Sequence, residues 1–270
     1  MAEFSSPFLT AYLIFLFALL GACMGSFLNC LAWRAVHGES AFRGRSHCDL
    51  CGHTLTFGDL IPIISYLVHG GKCRWCGSKI SPRHLVCEII SAVVFVAVFL
   101  RFSLSWLTAE YLLWFSLLIA ASFADLEAFI IPDRFVIAAI AVRLIFIFTG
   151  GNILPDLLNA ALGGFAVALV LLLIVLVFEK IIGREAMGGG DIKLVFVNGL
   201  YLGWQKNLLC LFISCIVGIL FAVVTQNARK DNEDARAFPF GPSIALAAFL
   251  AALFGDRLIA WYIGLFNFSL

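Results

Sequence analysis

Hydrophobic runs of membrane-spanning length constrain this chain more than any other feature. A helix that crosses a bilayer needs about 20 apolar residues. Eight stretches reach or approach that length: Phe8–Trp33, Val86–Phe102, Leu107–Ala124, Phe135–Thr149, Leu157–Phe178, Ile192–Trp204, Leu208–Thr225 and Ser243–Phe268. Composition agrees, with 62% hydrophobic and 13% charged residues among 270, against about 45–50% and about 25% in soluble domains. A soluble enzyme and a disordered chain are excluded, and a net charge of +1 gives no global field for nucleic acid. The expected fold is an all-α polytopic membrane protein of about eight transmembrane helices, with one small polar insert. The first run follows Glu3 and no Lys or Arg, so it reads as a retained span and not as a secretory signal. The last run contains Gly255, Asp256 and Arg257 and is expected to break near its outer end.

Basic residues set the expected orientation. With the N-terminus outside, only Arg101, Lys206 and Arg257 of the 18 Lys and Arg fall in outer loops, and Arg143 lies mid-span. The chain then divides into a first transmembrane helix (1–33), a cytosolic insert (34–85) and a transmembrane domain (86–270). Ile192–Trp204 is short for a span. Without it the basic 226–241 connection would move outside, so it is read as a span extended back towards Glu185. The charged 226–238 segment reads as a solvated connection.

Within the insert, Cys48-x-x-Cys51 and Cys73-x-x-Cys76 are each followed by glycine, Gly52 and Gly77. Two such knuckles place four thiolates on one tetrahedral metal, for which Zn²⁺ is the default. The insert is therefore expected to be zinc-ribbon-like, with the metal folding a loop too small for its own core. Disulfides, free thiols or a redox role are the alternatives, and a reducing cytosol disfavours the first. His47 and His53 flank the first knuckle, where four cysteines already suffice. The other five cysteines lie in apolar runs and read as small buried hydrophobes.

Ionisable groups inside apolar stretches are costly and mark function. Asp125 ends a long apolar run, and Asp191 follows Gly188-Gly189-Gly190. The alternative reading of each aspartate is a helix cap. The three glycines make that weaker for Asp191, because they suggest an unwound backbone where another chain approaches closely. Two carboxylates near the same membrane depth suggest an aspartyl protease dyad: one protonated carboxyl polarises the scissile carbonyl, and the other takes a proton from the attacking water. They lie on different spans, so only the tertiary fold can pair them. Glu88, early in its span beside the insert, reads either as a snorkelling carboxylate or as a functional one. Asn29 is a second polar group that needs a partner.

In their order along the chain these segments resemble the type IV prepilin peptidase family. Gly25-Ser26-Phe27-Leu28-Asn29 is similar to its GSFLN motif. The double CxxC follows, with Ile61-Pro62 and Ser65-Tyr66 between the knuckles. Asp125 through Ile131-Pro132-Asp133, then Gly188-Gly189-Gly190-Asp191-Ile192-Lys193-Leu194, resemble its D-x5-IPD and GxGD-x-KL segments, and Pro239-Phe240-Gly241-Pro242 its PFGP turn. The first knuckle lacks the usual proline, and Arg83-His84-Leu85-Val86-Cys87-Glu88 replaces the usual RYPLVE. The resemblance implies an aspartyl peptidase of the bacterial inner membrane using Asp125 and Asp191, supported by Gly188, Gly189, Gly190, Lys193 and Glu88, with zinc on Cys48, Cys51, Cys73 and Cys76. It implies cleavage of a short basic leader of prepilins or pseudopilins at the cytosolic face, after a glycine, and N-methylation of the new terminus with S-adenosylmethionine. The rival readings are a leader peptidase without methyl transfer and a non-enzymatic zinc-binding transporter or scaffold, for which mid-span Arg143 would mark an ion path.

Overall fold

A computed structural model describes residues 6–40, 44–48, 50–183, 187–228 and 239–267. The expected start near Glu185 and most of the 226–238 connection lie outside the described residues. The described elements are α1 (Pro7–Val36), a 3-10 turn (Gly58–Leu60), α2 (Ile64–Val68), α3 (Arg83–Phe102), α4 (Trp106–Ala128), α5 (Asp133–Thr149), α6 (Ile153–Ile182), α7 (Gly189–Ala228) and α8 (Gly241–Asn267). Six of these helices, α1, α3, α4, α6, α7 and α8, are long and apolar enough to cross a membrane. The chain falls into two compact units, residues 1–123 and 124–270.

In the first unit α1 packs on α3 through Gly21 and Gly25, a small-xxx-small spacing that lets helix backbones approach closely. A Cβ at Gly25 would stand 2.7 Å from the carbonyl oxygen of Cys87, and one at Gly21 2.6 Å from that of Ser91. The Cys87 thiol donates to the Gly25 carbonyl at 3.2 Å. Asn29 finds its partner one turn on, in His84 Nδ1 at 2.8 Å. Phe17 stacks on Phe99 with centroids 4.5 Å apart.

In the second unit the two expected spans 192–204 and 208–225 fall within α7, which breaks at Gly203 (φ 73, ψ 169). Asn207 Nδ2 donates to the carbonyls of Val195 and Gly163, both at 3.1 Å, and Asn198 Nδ2 reaches Cys210 Sγ at 3.9 Å. Residues twelve apart on a straight helix are about 18 Å apart, so these bonds require the chain to turn back on itself. α7 is a hairpin with a short arm, 189–202, and a long arm, 204–228. The short arm is about 21 Å long, less than the roughly 30 Å hydrocarbon core. Six helices have the length and apolarity of a span; with the two arms of α7 counted separately and α5, at 17 residues, added, the eight apolar runs each correspond to one helical segment.

Arg143 explains how a broken helix is tolerated in an apolar setting. The last four carbonyls before a helix end have no partner within the helix. The guanidinium Nε of Arg143, on α5, donates to one of them, Leu200, at 2.9 Å and lies over the Tyr201 ring. The Tyr201 hydroxyl donates back to the Ala139 carbonyl at 2.6 Å. The mid-span charge thus has a structural partner that needs no ion path. The expected break near Gly255 does not occur. α8 runs continuously through Asp256, whose carboxylate pairs with Lys206 on the long arm at 2.8 Å.

Candidate active site and metal centre

Asp125 lies in the last turn of α4, 5% exposed. Its Oδ2 accepts the backbone N–H of Gly241 at 2.8 Å. Gly241 opens α8, where the first amides lack intrahelical acceptors and the helix dipole favours negative charge. A Cβ at Gly241 would stand 2.8 Å from Oδ2 of Asp125. Glycine at this position is therefore what lets the carboxylate reach the amide. The sequence marked the Pro239–Pro242 turn without revealing this role.

Four residues after Asp125, Phe129 takes φ 56 and donates its N–H to the Asp125 carbonyl at 2.8 Å, ending α4. Left-handed backbone at a bulky residue is uncommon and costs energy. Pro132 then caps α5 in an extended conformation. Ile131, 8% exposed, packs against the glycine run, with its Cβ 3.0 Å from where a Cβ of Gly190 would stand.

Asp191 is half-buried in the first turn of α7. The glycine run before it is not unwound throughout, since Gly189 and Gly190 are already helical while Gly188 precedes the helix. The Asp191 carboxylate lies within Coulombic range of Asp125. The fold therefore places in one unit, within electrostatic reach, the two aspartates that the sequence left on separate spans. Lys193 does not join them. Its ammonium pairs with Asp133 at 2.6 Å in a largely exposed contact, joining the starts of α5 and α7. An exposed pair of this kind contributes about 0–1 kcal/mol.

The four-cysteine cluster belongs to the first unit. The four Sγ atoms of Cys48, Cys51, Cys73 and Cys76 lie within 4.8 Å of one another, and Cys48 and Cys76 Sγ are 3.9 Å apart. A tetrahedron with metal–sulfur bonds of about 2.3 Å has edges of roughly 3.8 Å, so the cluster fits a tetrahedral ion. The knuckles are built alike. Cys48 N–H bonds the His53 carbonyl at 3.0 Å and Gly52 N–H the Cys48 carbonyl at 2.8 Å, and Cys73, Ser78 and Gly77 repeat both bonds at 2.8 and 2.9 Å. Gly52 and Gly77 supply the positive φ, 67° and 71°. Backbone amides of Cys51 and Leu50 bring the Cys48 thiol down to about 6, and Ser78 lowers Cys76, while, despite the backbone amide of His53, burial and the neighbouring thiols push Cys51 up to about 11. Two of the four thiols are thus held towards the thiolate, and a metal ion must displace the proton of Cys51. His53 stacks on Trp75 with centroids 4.0 Å apart, tying one knuckle to the other.

Glu88 is buried, 7% exposed, and does not snorkel. Its Oε2 accepts the Ile63 N–H at 2.7 Å. Ile63 is itself strained, with φ 63 and ψ −52. Sequence reasoning singled out Glu88 but had no signal for this partner.

A multi-pass helical membrane protein with two aspartates in electrostatic reach of each other and a four-cysteine cluster is the class defined by this fold. Residues 19–102 match the bacterial peptidase A24 N-terminal domain, and residues 112–223 match the type IV leader peptidase family. The chain is 32% identical to a prepilin leader peptidase/N-methyltransferase of Aeromonas salmonicida (strain A449), over 95% of both chains. It is 34% identical to one of Bacillus subtilis (strain 168), over 93% of this chain and 97% of the other. No solved structure matches. The chain belongs to the type IV prepilin peptidase family and is a multi-pass inner-membrane protein.

Proposed function

We propose that this protein removes the short basic leader of type IV prepilins or pseudopilins and N-methylates the new terminus, with Asp125 and Asp191 as the hydrolytic pair. The carrying observation is the approach of these two carboxylates at the starts of α7 and α8, within a chain whose relatives are named for both activities.

In this reading the scissile peptide extends beside the short arm of α7. One carboxyl, protonated, hydrogen-bonds the scissile carbonyl. The other, ionised, takes a proton from water as its oxygen attacks the carbonyl carbon. Collapse of the tetrahedral adduct breaks the C–N bond, and the leaving amine receives the proton. The Gly241 N–H holds the Asp125 carboxyl in one orientation, which limits the reorganisation needed during the step. Gly188 keeps the approach to Asp191 small, because a Cβ there would stand 3.3 Å from Asp191 Oδ2. Gly190 gives Ile131 its place, and Lys193 fixes the loop after α4.

Cys48, Cys51, Cys73 and Cys76 hold Zn²⁺. A closed four-thiolate shell has no open position, so the metal stabilises the insert and takes no part in chemistry. S-adenosylmethionine, when bound, supplies the methyl group. The distribution of basic residues supports an outside N-terminus and a cytosolic insert, where a basic leader emerges from its apolar helix.

The test is co-expression with a candidate prepilin, reading the product terminus by mass spectrometry. The expected product lacks the leader and carries one N-methyl group. An intact leader contradicts the peptidase reading. A cleaved, unmethylated terminus contradicts the methyl-transfer half alone.

A further inference from the structure

Residues 57–68 of the insert show the reverse of what a water-facing loop should show. Phe57 is 91% exposed, and α2 turns Ile64, Leu67 and Val68 outwards, the last two 64% and 73% exposed. These three lie at i, i+3 and i+4 and so share one helix face. The 3-10 turn that follows Phe57 packs on α2, so the exposed side chains belong to one body. The other face of α2 is the one held to the insert. The Tyr66 hydroxyl donates to the Ile80 carbonyl at 3.4 Å and lies 2.9 Å from where a Cβ of Gly71 would stand. A helix on a water-soluble body turns its apolar stripe to the core. Contiguous exposed apolar surface marks a protein contact or a membrane contact.

The height of α2 decides between the two. Glu88 accepts the Ile63 N–H at 2.7 Å, immediately before α2. Helix α3 has 20 residues, Arg83–Phe102, about the length that crosses the hydrocarbon core, so Arg83 stands near one boundary. Glu88 lies further along α3 by roughly 7–8 Å at 1.5 Å per residue. Interfacial helices bury their apolar face about 5–10 Å into the boundary between headgroups and acyl chains. The start of α2 is thus level with lipid. Around Glu88, Val86, Ile89 and Ile90 of α3 are exposed and apolar, as a lipid-facing span requires. Ile63 itself takes φ 63, an outlier for a β-branched residue, and such backbone persists only where its surroundings over-determine it. A helix as short as α2, with 5 residues, cannot hold itself in place, and the bond to Glu88 supplies the hold.

Charge agrees with a lipid surface. The insert, 34–85, carries seven Lys and Arg against three Asp and Glu, and Lys72 and Arg74, just beyond α2, are exposed. Basic residues beside exposed apolar side chains favour anionic headgroups. Trp75, next to Arg74, is about half exposed, and Trp is enriched where membrane meets water.

We infer that residues 57–68 form an interfacial membrane anchor, with Phe57, Ile64, Leu67 and Val68 entering the boundary between headgroups and acyl chains of an anionic leaflet beside α3. Glu88 is the positioning residue that holds α2 at that depth. The inference is independent of which reactions the protein performs.

The test uses full-length zinc-loaded protein in nanodiscs rich in phosphatidylglycerol, with Phe57 or Leu67 replaced by trifluoromethylphenylalanine and read by fluorine NMR. Relaxation caused by lipid spin-labelled near the headgroup end of its acyl chain is compared with that caused by a water-soluble gadolinium chelate. The lipid label is expected to dominate at both positions. Dominant relaxation by the chelate would overturn the inference. Protection from both agents would overturn it too, because protein would then cover the segment. Discs of pure phosphatidylcholine should weaken the effect of the lipid label about twofold, and equal effects would overturn the choice of an anionic leaflet. Glu88→Leu should shift relaxation at position 67 from the lipid label to the chelate, whereas Glu88→Gln, whose amide oxygen still accepts the Ile63 N–H, should keep the wild-type pattern. An unchanged pattern in Glu88→Leu would remove Glu88 from the anchor. Zinc content monitors the fold, and should Glu88→Leu lose zinc, the pattern of the protein with Glu88 intact decides alone.

Discussion

A methyl group at position 241 would sit 2.8 Å from Oδ2 of Asp125, closer than carbon and oxygen tolerate. Gly241→Ala must therefore displace either the carboxylate or the start of α8. Misplacement of a catalytic group by about 1 Å can cost on the order of 10²-fold in rate. Leader cleavage should fall by about one to two orders of magnitude in single-turnover assays while the protein still purifies folded. Wild-type rates in Gly241→Ala would mean that the amide contact plays no part. Of this site, the two aspartates were legible because carboxylates are conspicuous in apolar runs. The Gly241 amide was not, because every non-proline residue carries one. At the metal, amides of Cys51 and Leu50 lower Cys48 to about 6. A lowered thiol pKa keeps the ligand-competent thiolate present above that value, and it is lost as pH falls through it. Burial and the neighbouring thiols push Cys51 up to about 11, so that ligand must give up its proton on binding, and zinc affinity, measured by chelator competition, should fall from pH 8 to pH 6. A flat profile between the two would contradict the thiolate site.

Among the elements, α7 departs most from its apolar pattern. The sequence shows two hydrophobic runs, and the break between them was visible only as a short polar interval around Trp204–Asn207. What the pattern does not encode is that Asn207 reaches back to Val195 and that Arg143 serves the carbonyl freed at the break. These are long-range partners, and a single chain's periodicity carries no record of them. The same limit explains the missed continuity of α8, since the charge of Asp256 is answered by Lys206 from another element. Because Asp191 sits at the far end of the short arm, loosening that arm should reach it. Arg143→Met removes a charged hydrogen bond to a carbonyl, at a cost of about 1–3 kcal/mol. It should lower the melting temperature and slow cleavage, with Arg143→Lys intermediate. Unchanged melting and cleavage in Arg143→Met would show that the short arm holds without its clamp.

At the scale of the whole molecule, the four cysteines and Glu88 lie in residues 1–123, and both aspartates lie in 124–270. Releasing the metal with the paired Cys48→Ser and Cys51→Ser substitutions should therefore damage terminal methylation more than leader cleavage, both read on one preparation by mass spectrometry. Equal loss of the two would argue against separable sites. The six long apolar helices were legible from the hydrophobic runs, because a bilayer demands their length. The pairing of Asp125 with Asp191 was not, since it depends on Ile131 packing against Gly190 and on α8 beginning at Gly241. That pairing is the central claim, and one measurement tests it most directly. Asp125→Asn and Asp191→Asn, each purified as folded membrane protein, are assayed for leader removal from a prepilin by product mass. Each should lose at least about 10²-fold in cleavage rate, the scale set by loss of a general acid or base. Cleavage within a few-fold of wild type in either variant would contradict the account.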